Sequence, residues 1–135
     1  MFDTENEKIV GHFFETLSTG NLEKVAPLFH PDATWQVQNE GIPGAGTHRG
    51  RQAILEFLAP VRGLFKAGDP KVTVTSCVSK GDLVIAEARG RGTLNDGRLY
   101  DNKYAWAFEI KDGTVFVIRE YMDSLYIAKL FGMAG

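Results

Sequence analysis

The residue in this chain best suited to chemistry is Glu120, in the segment Val115-Phe116-Val117-Ile118-Arg119-Glu120-Tyr121-Met122-Asp123. Side chains of a strand alternate between its two faces, so Glu120 shares a face with Phe116, Ile118 and Met122. Burying a carboxylate costs free energy, so one set among hydrophobes is either paired or at work. Desolvation lifts a carboxyl from its free pKa of about 4.3 toward working pH, where it serves as a general acid or base. The structural alternative is a carboxylate that accepts a hydrogen bond from Tyr104 or Asn102, or that merely orients a ligand. Tyr104 and Asn102 carry the hydroxyl and amide donors that would steady a carbonyl or enolate oxygen, unless they form a satisfied polar rim of the core. Phe13, Trp35 and Trp106 are candidate walls for a planar ligand, or plain core. Ile118 and Met122 complete the candidate substrate-binding set.

His48 and Arg49 stand in a Gly-rich loop ahead of a helix. There they either close over a pocket and hold an anionic group or are ordinary surface residues. His30 reads as the end of a helix, and His12 lies beside Phe13 on the first helix. Three scattered histidines without clear carboxylate partners do not make a metal site, and no cofactor is expected. The chain has no nucleophile elbow, phosphate loop or dinucleotide fingerprint.

The bulk properties narrow the function classes. A chain of 135 residues with 44% hydrophobic content reads as one globular domain, 1–135. A net charge of −2 with no basic block argues against nucleic acid or an anionic membrane as partner. The lone Cys77 excludes an intrachain disulfide and a thiolate metal cluster. Residues 1–8 lack the apolar core of a secretory signal, and no apolar run is long enough to span a bilayer, so a cytoplasmic location is expected.

The elements that must carry these residues follow from periodicity. Residues 4–18 read as an amphipathic helix, with Ile9, Val10, Phe13, Phe14 and Leu17 at helical spacing. Gly20 ends it, and Asn21 caps a second short helix through Phe29 that His30-Pro31-Asp32 breaks. Residues 33–38 form a short strand with Trp35, and 39–50 a Gly- and Pro-rich loop. Residues 51–65 are helical by Ile54, Leu55, Leu58, Val61 and Phe65, with a kink before Pro60. Strands follow over 71–79, 82–94, 99–110 and 114–122, joined at Lys80-Gly81, Asp96-Gly97 and Asp112-Gly113 as an antiparallel meander. Helices first and strands afterwards make an α+β fold.

The register of the last hairpin decides where Glu120 points. A two-residue turn, Asp112-Gly113, pairs Lys111 with Thr114 and sends Phe116, Ile118 and Glu120 to the Lys103/Glu109 face. A three-residue turn, Lys111-Asp112-Gly113, pairs Phe108 with Phe116, Trp106 with Ile118 and Tyr104 with Glu120. Only the second matches apolar faces, so it is the register expected here. By the same reasoning Asn95-Asp96-Gly97 pairs Leu94 with Arg98 and sets Gly90, Ala88 and Ala86 opposite Asn102, Tyr104 and Trp106. The far face then carries Arg91 paired with Asp101 and a diagonal Glu87–Lys103 pair. It also carries Leu83, Ile85, Ala105, Ala107, Val115 and Val117, apolar enough for a homodimer interface through the outer sheet face.

This order of elements, with Asn21-Leu22, His30-Pro31-Asp32-Ala33-Thr34, His48-Arg49-Gly50, Asp112-Gly113 and Arg119-Glu120-Tyr121-Met122-Asp123, resembles the SnoaL-like, ketosteroid isomerase-related branch of the nuclear transport factor 2-like superfamily. The resemblance implies a cystatin-like cone: a curved antiparallel sheet wrapped around N-terminal helices, with a mostly apolar pocket on its concave side. It also implies a small, largely apolar ligand, and either a cofactor-independent isomerase or cyclase or a non-catalytic binding or dimerisation domain. The ketosteroid isomerase machinery is missing, because its positions match Phe13, Val37 and Trp106. Of the Asp-Arg-Asp set of limonene epoxide hydrolase only the last acid has a counterpart, Glu120; its partners fall near Ala88 and Gly90. The acid/base of SnoaL-like cyclases also matches Glu120, as Glu in place of Asp, while their supporting His aligns with Trp106.

Overall fold

The structure, a computed structural model, describes residues 1–132; the expected domain span of 1–135 runs past it, and 133–135 lie outside the described residues. Helix α1, Glu5–Leu17, starts on Thr4, whose side chain accepts from the Glu7 amide, and it buries Val10, Phe13, Phe14 and Leu17. Asn21 caps α2, Leu22–Val25, by accepting from the amides of Glu23 and Lys24. The expected run of this helix to Phe29 is cut short. Pro27 stands in a single 3-10 turn, Ala26–Leu28, and strand β1 already begins at Phe29, running to Val37.

The expected loop over 39–50 contains a strand that the apolar pattern did not announce. β2, Gly46–Arg49, pairs antiparallel with β1 and sets His48 opposite Trp35. It is a short, mostly exposed edge strand, so no alternation marks it. Helix α3, Arg51–Arg62, carries Pro60 inside its last turn, ends at Gly63, and buries Ile54 and Leu58. The strands β3 (Lys71–Lys80), β4 (Leu83–Thr93), β5 (Leu99–Lys111) and β6 (Thr114–Met122) form the expected meander. A short helix α4, Ser124–Leu130, follows, capped by the Asp123 carboxylate.

The sheet order is β2-β1-β6-β5-β4-β3. All pairings are antiparallel except β1 with β6, which run parallel. The curved sheet folds around the helices, and its inner face joins α1 and α3 in one core that includes Phe13, Phe29, Ile54, Val84, Phe108 and Ile118. The parallel pairing makes β6 a central strand flanked by β1 and β5. Any inward side chain of β6 therefore has neighbours on both sides, about 4.8 Å away in strand spacing.

The β4–β5 register is as expected: Gly90, Ala88 and Ala86 lie opposite Asn102, Tyr104 and Trp106. The Leu94 amide donates to the Arg98 carbonyl across the Asn95-Asp96-Gly97 turn. Asp101 pairs with both Arg89 and Arg91 at 2.9 and 3.2 Å, whereas Glu87 accepts from the Ser76 hydroxyl at 2.7 Å and forms no ion pair with Lys103 among the described residues. The β5–β6 register differs. The turn has two residues, Asp112 and Gly113, both with positive φ (53° and 73°), the twist that suits a tight hairpin. Lys111 therefore pairs with Thr114 and Ile110 with Val115, and a bulge at Phe116 then brings Val117 opposite Glu109. The extra residue reverses the facing of everything after it. Val115 is consequently buried and not on the outer face, Phe116 leaves the inner face to pack on His30, and Glu120 lies opposite Trp106 rather than Tyr104. Ile118 and Glu120 still face inward, because the bulge achieves what the three-residue turn was expected to do.

Candidate functional site

Glu120 is 7% exposed and sits on the inner face of the central strand. Trp106 stands directly opposite it on β5; on the other side Val37 of β1 is its partner, with Trp35 two residues earlier on the same face. Both indoles turn to the acid. Trp35 Nε1 donates to Glu120 Oε1 at 2.9 Å, and Trp106 Nε1 donates to the same oxygen at 3.3 Å. Neither Tyr104 nor Asn102 bonds to it, so the expected structural partners are replaced by two tryptophans. Burial pushes the Glu120 carboxyl up to about 7, against the two indole bonds, which favour its anion. Oε2 has no hydrogen-bond partner among the described residues, and it is not a fully buried atom.

Two adjoining cavities of about 80 Å³ each meet at this carboxyl, sharing Phe57, Val61, Pro70, Tyr104 and Glu120 in their walls. The inner lobe adds Leu17, Trp35, Leu58, Arg62, Val72, Gly90 and Trp106. The outer lobe adds Tyr100, Met122, Ile42, Phe65, Ile127 and Phe131 among others. Beyond it, an open groove of about 740 Å³ runs past His48, Glu56, Phe57 and Pro60, and it shares Pro43, Phe57, Val61, Leu64 and Phe131 with the outer lobe. The lining is almost wholly apolar, as expected of a small-molecule site with a few placed polar groups.

Tyr104 is stacked on Trp106, rings 4.5 Å apart and 5° from parallel. The tight approach of Gly90 makes room for it: a Cβ there would stand 2.8 Å from Tyr104 Cε1. The Tyr104 hydroxyl is hydrogen-bonded to the Tyr100 hydroxyl, and Asn102 Nδ2 donates to Tyr100 at 3.2 Å. The amide orientation of Asn102 is set by its other end, since Oδ1 accepts from the Lys103 amide at 2.8 Å. Burial raises Tyr100 to about 12 and Tyr104 well above the usual phenol value, so both are neutral donors near pH 7.

The structure thus brings together Glu120, Tyr104, Trp35, Trp106 and Met122 around the cavity. Three expected ligand contacts do not reach it. Phe13 is locked edge-on among Phe14, Phe29 and Phe108, Ile118 is fully buried in the core, and Asn102 faces Tyr100 and the Asp123 carbonyl instead of the cavity. Ile118 and Asn102 lie on the inward face of the sheet, as their parity demands, and Phe13 on the buried face of α1, but all three are enclosed in packed core. His48 stacks on Phe57 at 4.1 Å and bonds to the Gly44 carbonyl at 2.7 Å, so it walls the outer groove, while Arg49 is exposed on β2. Sequence reasoning missed Tyr100, Phe57, Arg62, Pro70 and Phe131. The signal for Tyr100 was its parity with Tyr104; for Phe57 and Arg62 it was a position one turn along α3 from Val61 and Leu58 respectively. Among the described residues no three His, Cys, Asp or Glu side chains converge as metal ligands, and no helix is long and apolar enough to cross a membrane.

The family model for a SnoaL-like domain matches residues 10–118. No curated protein matches the chain. Among solved structures, Bal32a from a soil-derived mobile gene cassette is 26% identical with a TM-score of 0.80, covering 94% of this chain and 95% of that one. An NTF2-like protein from Burkholderia xenovorans LB400 is 25% identical with a TM-score of 0.75, covering 96% and 98%. A candidate SnoaL-like polyketide cyclase from Jannaschia sp. CCS1 is 20% identical with a TM-score of 0.80, covering 99% and 96%; at that identity the likeness speaks for the fold.

Proposed function

The chain belongs to the SnoaL-like domain family, and from that premise we propose that it is a cofactor-independent isomerase or cyclase that moves a proton beside the carbonyl of a small, largely apolar molecule. The observation that carries this reading is the Glu120 carboxyl: buried where two cavity lobes meet, raised to about 7, with one oxygen held and the other unbonded. At that pKa both the acid and the base form are populated near neutrality, which lets one group take a proton and return it. Oε2 removes the proton from the carbon next to the carbonyl. The C–H electron pair becomes a C=C bond, and the carbonyl π pair moves onto oxygen. Protonation at another carbon, or attack of the enolate carbon on a second carbonyl, completes an isomerisation or a ring closure without net oxidation or reduction.

The oxygen charge falls to Tyr104. Asn102 donates to Tyr100, and the two tyrosine hydroxyls share a hydrogen bond; the role requires Tyr100 to be the donor in that bond, which leaves the Tyr104 proton for the cavity. A second copy of the chain covers the outer sheet face, where Val78, Leu83, Ile85 and Tyr121 are exposed at 64%, 38%, 37% and 45%.

The reading is tested by hydrogen–deuterium exchange of α-protons in small cyclic ketones. Glu120→Gln keeps ligand uptake and abolishes exchange, and Tyr104→Phe slows it by about a hundredfold. Normal exchange in the Gln variant rules the mechanism out. Absence of exchange above background in the wild type instead leaves a non-catalytic ligand-binding domain, with Glu120 as a structural acceptor for two indoles.

A further inference from the structure

Two charged side chains stand in the lining of the inner lobe: Glu120 and Arg62, the last residue of α3. Arg62 has five N–H donors in a planar fork, which suits a carboxylate. The structure uses one of its nitrogens: Nη2 donates to the Pro70 carbonyl at 3.3 Å. Among the described residues no carboxylate lies within ion-pair distance of it, and the charge of Asp69 acts on it only from farther off. A cation at a helix C-terminus is favourable by itself, but that role is met by any position in the last turn. Arg62 instead stands in the wall of a cavity otherwise lined by apolar and aromatic groups such as Leu17, Trp35, Val72 and Trp106. Two lobes of about 80 Å³ each are comparable together with the ~150 Å³ apolar cavity that takes up benzene. The body of the ligand is therefore on the scale of a single ring.

We propose that the substrate is a small keto acid with a body of about one ring, whose carboxylate Arg62 holds at the wall of the inner lobe. This deepens the proton-transfer reading and rests on it for the carbonyl, but not for the carboxylate.

Binding is measurable directly, because the chain's two tryptophans, Trp35 and Trp106, both line the lobe and report occupancy by fluorescence. The probes are phenylacetate and its neutral isostere phenylacetamide. Phenylacetate is expected to bind the wild type at least about tenfold more tightly than the amide, a preference that Arg62→Gln erases and Arg62→Lys partly keeps. Glu120→Gln retains the preference. Equal binding of the two probes by wild type, failure of both to bind at millimolar concentration, or a preference that survives Arg62→Gln overturns the proposal. So does an Arg62→Gln variant that weakens both probes equally, which would make the residue structural. Proton exchange surviving in Glu120→Gln would instead sink the underlying reading, and it is read from a different variant and a different signal.

Discussion

Replacing Glu120 with Gln is expected to change how stability depends on pH, and the size of the change follows from the site. The carboxyl has an ordinary pKa of 4.5 in the unfolded chain and is held at about 7 in the fold. Between these values the folded protein binds the proton and the unfolded chain does not, so stability falls as pH rises through that window. The contribution is fully present below 4.5 and lost once pH passes about 7. A gap of about 2.5 units at 1.36 kcal/mol per unit makes the loss about 3 kcal/mol. Gln has nearly the same shape and cannot ionise. It can still accept from the indoles of Trp35 and Trp106 through its amide oxygen, so it forfeits a roughly constant ~1 kcal/mol from weaker bonds. The variant should therefore be slightly less stable than wild type near pH 4 and more stable near pH 8. Urea denaturation of both proteins across that range measures this, and the difference between the two curves cancels the other titrating groups. Some of these, such as Glu7 and Asp101, are shifted downward and act with the opposite sign. A difference that stays constant from acid to base would show that burial does not perturb Glu120, and the acid/base argument would fall with it.

Gly90→Ala places a Cβ 2.8 Å from Tyr104 Cε1, against a ring that Trp106 stacking and the Tyr100 bond hold in place. A cost of about 1–3 kcal/mol in thermal or urea unfolding is expected; a neutral effect would mean Tyr104 is loosely held and unsuited to its proposed role. Ile85→Glu, on the outer face of β4, is expected to turn a wild-type dimer into a folded monomer in light scattering at micromolar concentration. Wild type that is already monomeric there removes the dimer proposal.

The element order and the family were legible in the residues because they rest on local quantities. Apolar spacing set α1 and α3, Asp-Gly and Lys-Gly pairs marked the hairpins, and parity placed Tyr104, Trp106 and Phe108 on one inner face. That Glu120 faces inward was also readable, though for an incomplete reason. The need to match apolar faces determined the outcome, and the chain met it with a bulge at Phe116 rather than a longer turn. Periodicity cannot distinguish these, because both insert one residue between the same faces.

What tertiary structure alone decided is who meets Glu120. Trp35 is 85 positions away along the chain and comes to it only because β1 pairs parallel with β6, a pairing that no local signal encodes. The same holds for Arg62, which reaches the inner lobe because α3 lies across the concave face. Which inward residues line the cavity and which are filled core depends on where the helices stop covering the sheet. Phe13 of α1 packs on Phe108 beside Ile118 and fills that stretch, while Tyr104 and Glu120 line the cavity. A buried carboxyl was foreseeable from alternation; its pKa was not, because desolvation and indole bonds are properties of the assembled neighbourhood rather than of the strand that carries it.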